Sequence, residues 1–513
     1  MKQNKSQLKI GVILGYVNML VGNLIPLFYT PIMLDLLGQS EYGLYKLASS
    51  AASYLSLASF GIGAAVTRYL IKARVEEGKT AEEGIFGLFN LIFQIIAAVT
   101  CVAGAIIAFN LDIIYDESLT ATELQRMTML VLILTVNTAI GFSASSYNAV
   151  VSSHERYVFL QIVNILSTCV TPIANLAALY MGYASVGMTA SSLLLNVMIR
   201  VIYIIYVRYT LNLRPRYRNM PVHLLKEILV FSFWIFLGNI VSQLYNATDT
   251  MIIGAVPALA TLGVAVYNVG GVFSHMVFSL AQAVSALFMP RANKLVFSGA
   301  TNEELTDFAI RIGRYQCYVI ALACSGFIAF GRQFITWYVG TGYIDAYWVA
   351  LLMMIPSCIP LVQSVALSVI QAQNKHRFRS TVYLIIAVVN VVGTYLMVWN
   401  HGIIGAALVT GAATILGQGL LMNWYYWKRI GLNIPRFWKS ILQILWIPAL
   451  LCVITLFLGK YIDFTNVVTF LVGVLVYTGI YCGLLWTYSM NKIEKEQISG
   501  PIKSFFAKLK SIL

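Results

Sequence analysis

The chain has 513 residues, 59% of them hydrophobic and 11% charged, with a net charge of +14 and a mean hydropathy of +0.78. A soluble core of this length could not bury so much apolar surface, so a water-soluble enzyme domain is excluded and lipid is the expected solvent. The positive charge does not call for a nucleic-acid partner, because 29 of the 34 Lys and Arg residues fall on one side of the topology read below, as the positive-inside rule requires of a cytosolic face.

A bilayer core needs roughly 17 to 25 apolar residues per helix. Stretches of that kind predict fourteen spans, near 10–37, 44–66, 85–109, 127–151, 158–181, 186–207, 228–253, 258–289, 312–333, 346–372, 380–399, 403–427, 441–460 and 466–489. All are expected to be helices, since lipid offers no partner to unpaired backbone groups. The even number places both termini in the cytosol, with Lys46, Arg126, Arg332 and Lys460 outside and Arg200 within a span. The basic start is signal-like in charge only: the span that follows is too long and has no small-x-small cleavage site, so it is expected to remain as the first helix.

Span one carries Asn18, Asn23, Pro26, Thr30 and Pro31, which predict a kinked helix with freed carbonyls, either a moving gate or a structural kink. Span two has Lys46 at its outer end and Arg68 at its cytosolic rim, and the outer loop at 110–126 is acidic and about 17 residues long, too short for a folded domain. Arg200 in span six either binds a phosphate or snorkels to the inner surface. The Arg-Pro-Arg-Tyr-Arg run from Arg214 to Arg218 reads as a linker.

Span seven places Asn239, Gln243, Asn246 and Asp249 at spacings of four, three and three on one face, and span eight repeats the pattern with Asn268, His275 and Gln282 seven apart. Polar groups at such depth line a pathway or bond neighbouring helices. Asp249 and His275 are titratable and are candidates to take a coupling H+, and Asp249 could equally ligate Na+. Arg291 follows at the cytosolic end of span eight. The seven cysteines lie within spans without metal spacing and read as small packing residues, and no other cofactor is expected. Paired carboxylates within spans, a P-loop lysine, HExxH and a nucleophile elbow are all absent, so the chain is not expected to be an enzyme.

Landmarks recur at a common interval: Asn18 and Asn239, Arg156-Tyr157 and Arg377-Phe378 are 221 apart, Arg68 and Arg291 223, Gly187 and Gly405 218. The expected architecture is therefore all-α, with a six-helix bundle at 1–210, a linker at 211–227 and a second six-helix bundle at 228–427. Six helices per half make the repeat parallel, about an axis along the membrane normal. An extra pair of helices follows at 441–489, then a cytosolic tail at 490–513. In the tail, Ile502, Phe505, Phe506, Leu509 and Ile512 share one face of an amphipathic surface helix, with Lys503, Lys508 and Lys510 available to acidic headgroups.

The turn Leu37-Gly38-Gln39-Ser40-Glu41-Tyr42-Gly43-Leu44-Tyr45 after Pro31 resembles the proline, Leu-Gly-x-x-Glu-Tyr-Gly-x-Tyr turn of bacterial polysaccharide flippases of the multidrug/oligosaccharidyl-lipid/polysaccharide exporter superfamily. Asp249, Ile253-Gly254 and Leu262-Gly263 through Tyr267 resemble its counterpart in the second half. The resemblance implies a flippase in the bacterial inner membrane that carries undecaprenyl-diphosphate-linked oligosaccharide to the outer leaflet by rocking two bundles about a V-shaped cavity. It implies polysaccharide polymerase and glycosyltransferases as partners, a substrate role for Arg200, Arg68, Arg291, Asn18, Asn239, Gln243 and Asn246, and an extra helix pair typical of the lipid-linked sugar branches. The alternatives are a cation-coupled drug antiporter, supported by Asp249 and Asp35, and a membrane glycan polymerase or ligase, which would need a large outer loop.

Overall fold

The structure, a computed structural model, describes residues 2–497 and 499, except 219, 374 and 376. The expected amphipathic helix at 501–513 lies outside the described residues. The described chain is all-α. Ten of its helices are long and apolar enough to cross a membrane, or up to twelve if each of two bent pairs is one span. Their outward faces carry large side chains such as Phe28, 73% exposed, and Leu475, 71% exposed, which only a lipid solvent makes favourable. This is a multi-pass membrane protein.

The helices in chain order are α1 Lys2–Leu37, α2 Gln39–Ser53, α3 Gly63–Glu76, α4 Lys79–Phe109, α5 Asp112–Tyr115, α6 Ala121–Ser153, α7 Tyr157–Tyr180, α8 Ala184–Ile205, α9 Leu225–Asn246 and α10 Thr248–Gly254. They continue as α11 Ala260–Phe297, α12 Asn302–Val339, α13 Ala346–Val362, α14 Ser364–Ala372, α15 Arg377–Thr414, α16 Met422–Tyr425, α17 Ile434–Leu458 and α18 Val467–Leu484. The fourteen expected spans do not appear as fourteen separate helices, for local reasons. The second is interrupted by a 3-10 turn at Tyr54–Ser59 and by Phe60 in the left-handed region, so α2 and α3 share it. The eleventh and twelfth follow one another over Arg377–Ile430 without a loop and part at Gly402, in the gap expected between them, where a φ of 58° and ψ of −146° suit a residue without Cβ. The tenth bends by 49° between α13 and α14, after Pro356 and Pro360 have each left a carbonyl without its helical donor.

The chain forms two compact units, Met1–Val269 with Ala387–Val409, and Gly270–Ile386 with Thr410–Leu513. These boundaries differ from the expected linker at 211–227, because α9, α10 and the start of α11 pack with the N-terminal helices. Inside the first unit, α1 lies along α7: Gly11 and Gly15 meet Tyr157 and Gln161, and a Cβ on Gly11 would sit 2.6 Å from that of Tyr157. The core of this unit is built by α3, α4, α6 and α8 around Phe86, Phe89, Phe93, Tyr69, Val150 and Tyr203. In the second unit α17 and α18 pack on α12. The repeat is visible in the packing of each unit. Phe159 stacks on Tyr206 in the first, with centroids 3.7 Å apart, and Phe378 stacks on Tyr425 in the second at 4.3 Å, both partners displaced by the same 219 residues. A wide π-turn at Tyr206–Thr210 likewise recurs at Tyr426–Ile430.

Candidate functional site

The first unit holds a buried carboxylate in the membrane-spanning region. Asp249, in the first turn of α10, is 1% exposed. Its Oδ2 accepts a 2.6 Å hydrogen bond from the Tyr267 hydroxyl of α11, and its Oδ1 accepts from Thr394 Oγ1 at 3.1 Å and from Asn390 Nδ2 at 3.5 Å, both on α15. Next to it, Asn268 Nδ2 donates to Thr250 Oγ1 at 3.3 Å, and Thr248 Oγ1 is bonded to the Tyr54 hydroxyl. Sequence reasoning found Asp249 and missed Asn390 and Thr394. The available signal was their spacing of four in an otherwise apolar span, the criterion that picked out the polar faces of spans seven and eight.

A carboxylate at such depth is costly unless neutralised by a proton, a cation or several donors. Two helices, α11 and α15, bring it donors, and the same set of carboxylate, phenol, hydroxyl and amide oxygens suits a hard monovalent cation as well as a proton. Among the described residues there is no group of three His, Cys, Asp or Glu side chains that could hold a metal ion. His275 is exposed, with Ser279 Oγ 3.5 Å from its Nδ1 and the Phe278 ring beside it.

The other expected site residues fall in different settings. Gln243 bridges α9 to the broken second span, accepting from Ser53 Oγ at 3.1 Å and donating to Ser56 Oγ at 3.0 Å. Asn18 accepts from Thr168 Oγ1 at 3.3 Å and so joins α1 to α7. Asn239 is half-buried, and the Asn246 side chain lies outside the described residues. Arg200 is half-buried on α8, and its Nε is buried without a hydrogen-bond partner among the described residues. The charge of Arg200 acts on the Tyr147 hydroxyl, as does that of Arg208. Arg68 and Arg291 are exposed. Asp35 is exposed near the end of α1, and Lys46 lies over the Tyr42 ring at 5.5 Å.

The turn that joins α1 to α2 explains its own residue types. Gly38 has φ of 75°, which favours glycine. Glu41 binds Arg126 Nη1 at 3.0 Å and accepts from Ser185 Oγ at 2.5 Å, tying α2 to α6 and α8. Tyr42 is fully buried, and a Cβ on Gly43 would collide with the backbone carbonyl of Thr261. Ser40 Oγ lies 2.9 Å from Thr261 Oγ1.

In the second unit an apolar cleft of about 270 Å³ opens between α12 and α18, lined by Phe327, Phe330, Phe334, Phe470, Val474 and Tyr477 among others. Its walls offer rings and methyl groups and almost no hydrogen-bonding groups, which suits a hydrocarbon chain.

A family model described as "Polysaccharide biosynthesis protein" matches residues 9–290. Among solved structures, one described as lipid II flippase MurJ in an inward closed conformation superposes with a TM-score of 0.70 at 14% identity, covering 93% of this chain and 98% of that one. An inward-facing multidrug resistance MATE family transporter of the MOP superfamily gives 0.59 at 15% identity over 82% and 99% of the two chains. A MATE in complex with MaD3S gives 0.55 at 13%, over 84% and 96%. These likenesses are of fold. No match is found among curated protein sequences.

Proposed function

The chain belongs to the family of polysaccharide biosynthesis proteins, and from that premise we propose that it is a flippase for undecaprenyl-diphosphate-linked oligosaccharide. In this reading it works by alternating access in the bacterial inner membrane, with both termini cytosolic, and receives its substrate from glycosyltransferases and passes it to a polysaccharide polymerase. The observation that carries the reading is the second unit's α17 and α18 packed on α12, with a hydrocarbon-lined cleft between α12 and α18. A prenyl tail can leave part of its length in such a cleft while the headgroup crosses, an arrangement that a water-soluble cargo would not need. The diphosphate requires cationic donors, and Arg200 is a basic residue within a span whose Nε has no hydrogen-bond partner among the described residues. Arg68 and Arg291 would take part at the cytosolic rim, and Asn18, Asn239, Gln243 and Asn246 would contact the sugar or set the helices that do.

The cycle needs a source of free energy, because equal affinities in the two access states drive nothing. Asp249 supplies a candidate: a bound H+ or Na+ would change its hydrogen bonds to Tyr267, Asn390 and Thr394, and so the packing of α10, α11 and α15. His275 is a second candidate for the coupling proton.

The test is Arg200→Ala in cells scored for surface polysaccharide at matched protein levels. Loss of surface polymer with lipid-linked oligosaccharide accumulating inside is expected, and unchanged surface polymer would overturn the phosphate role of Arg200. Purified protein in liposomes loaded with the lipid-linked oligosaccharide tests the substrate: movement that appears only for a cationic dye would favour the drug antiporter instead.

A further inference from the structure

We propose that the pocket beneath the linker at 211–227 is a binding site for a phosphate-bearing anion, held there as the headgroup of an anionic phospholipid. This inference does not rest on the transport reading.

The pocket has a volume of about 500 Å³ and lies in the first unit. Its walls are the end of α3, the first turns of α4 and the linker, with Lys72, Thr80, Ala81, Arg216, Arg218 and His223 among the lining residues. Glu77 is the one carboxylate of the lining. Arg216 and Arg218 have no ion pair among the described residues, and Lys72 has a solvent-exposed one with Glu76 at 4.0 Å. Three cations therefore face a single acid across a shared space.

The second feature is the helix end. α4 starts after Gly78, which has no side chain to cap it, so the N–H groups of the first turn are free donors at the wall formed by Thr80 and Ala81. A 31-residue helix adds the positive end of its dipole there, the arrangement that favours phosphate.

The third is pre-organisation. The linker is pinned to α4: the Arg216 amide donates to the Glu83 carbonyl at 3.0 Å, and the Tyr217 hydroxyl donates to Asn90 Oδ1 at 2.9 Å. Gly87 is what allows this approach, since any Cβ there would collide with the Arg216 carbonyl. The backbone that carries Arg216 is fixed in advance, which lowers the entropy cost of binding.

Apolar side chains mark the lipid source. Val75, 76% exposed, lies on α3 three residues after the lining Lys72, and the exposed Val222 is flanked by the lining residues Pro221 and His223. Exposed hydrocarbon beside a cationic pocket is the surface expected at a headgroup boundary, where basic residues attract anionic lipids.

The test uses the full-length protein in detergent, with Arg216→Gln/Arg218→Gln compared with Lys439→Gln/Lys492→Gln, which removes the same charge elsewhere. Phosphatidylglycerol, phosphatidylcholine and sodium pyrophosphate are added in turn, and lipid retained in native mass spectra and the shift in thermal midpoint are read. The expected result is retention of phosphatidylglycerol over phosphatidylcholine with an upward midpoint shift, both lost in the arginine variant and kept in the charge control. A shift with pyrophosphate alone, lost in the same variant, supports the anion site and overturns its lipid occupant. Equal phosphatidylglycerol retention by both variants overturns the site. If the double variant does not fold, Lys72→Gln at an exposed position is expected to lower phosphatidylglycerol retention several-fold, and unchanged retention there overturns the site as well.

Discussion

Glu494 follows the last span and is 1% exposed. Arg314 of α12 donates to its two oxygens from Nε at 2.7 Å and from Nη2 at 3.1 Å, the Tyr318 hydroxyl donates at 2.9 Å, and the Asn491 amide closes the set at 2.9 Å. Arg314 also donates to the Ser489 carbonyl at 2.6 Å, so one guanidinium staples the chain after α18 to α12. Glu494→Gln keeps the shape and removes the charge, leaving Arg314 uncompensated. Breaking a buried pair in this way costs about 3–5 kcal/mol, because the remaining ion stays out of water. If the loss falls on local opening of 489–497, amide exchange there should speed up by about a hundredfold to a few thousandfold. Hydrogen-exchange mass spectrometry of the detergent-solubilised protein reads this directly. Arg436→Gln is the control, since its pairs with Glu303 at 3.6 Å and Asp307 at 2.8 Å are exposed and worth about 0–1 kcal/mol. The pair also sets a pH window. Burial pushes the Glu494 carboxyl up, but the bonds from Arg314 and Asn491 outweigh it and hold the group below its ordinary 4.5. Its contribution is therefore complete above pH 4.5 and is lost as pH falls through the lowered value. Unchanged exchange in Glu494→Gln, with the rest of the chain native, would refute the reasoning.

Asp249→Asn should leave insertion and protein level intact while transport falls to the rate seen without ion gradients, measured in liposomes with H+ and Na+ gradients collapsed one at a time; full gradient dependence in the variant would remove Asp249 from coupling. Gly43→Ala should destabilise the protein by about 1–3 kcal/mol, because the new methyl meets a backbone carbonyl that cannot turn away; thermal unfolding checks it, and a parental midpoint would contradict the contact. His154, at the loop after α6, is held below the ordinary 6.5 first by burial and then by Arg74 and Arg156, so its neutral form is favoured in the folded state. Its contribution is present above pH 6.5 and declines as pH falls from 6.5 toward the lowered value; His154→Gln should flatten the thermal-stability profile between pH 7 and 5.5, and an unaltered slope would assign it to another group.

The membrane class and most span positions were legible because hydropathy acts over twenty residues and tolerates local irregularity. The irregularities were harder to see. A 3-10 break at Tyr54–Ser59 leaves no compositional trace in a span that remains apolar, whereas the break at Gly402 falls in the gap between the eleventh and twelfth expected spans, where the apolar runs themselves part. Asp249 could be singled out as a charge in a span, but Asn390 and Thr394 are 141 and 145 residues away, and periodicity within one helix carries no information about which other helix it faces. Arg314 shows the same limit. Its partner Glu494 lies 180 residues on, so nothing in the sequence around Arg314 announces that its charge is buried and among the best-satisfied groups in the second unit. Gln243 and Asn18 satisfied the pattern for a pathway and were found bonded across helix pairs, a use that the same spacing serves equally well.

Ser40 and Thr261 touch through their hydroxyls, and they are 221 residues apart, the interval at which Asn18 leads to Asn239 and Arg156 to Arg377. Either hydroxyl can donate to the other, so the contact between the turn after α1 and the start of α11 survives exchange of Ser for Thr at either position but not the loss of either oxygen.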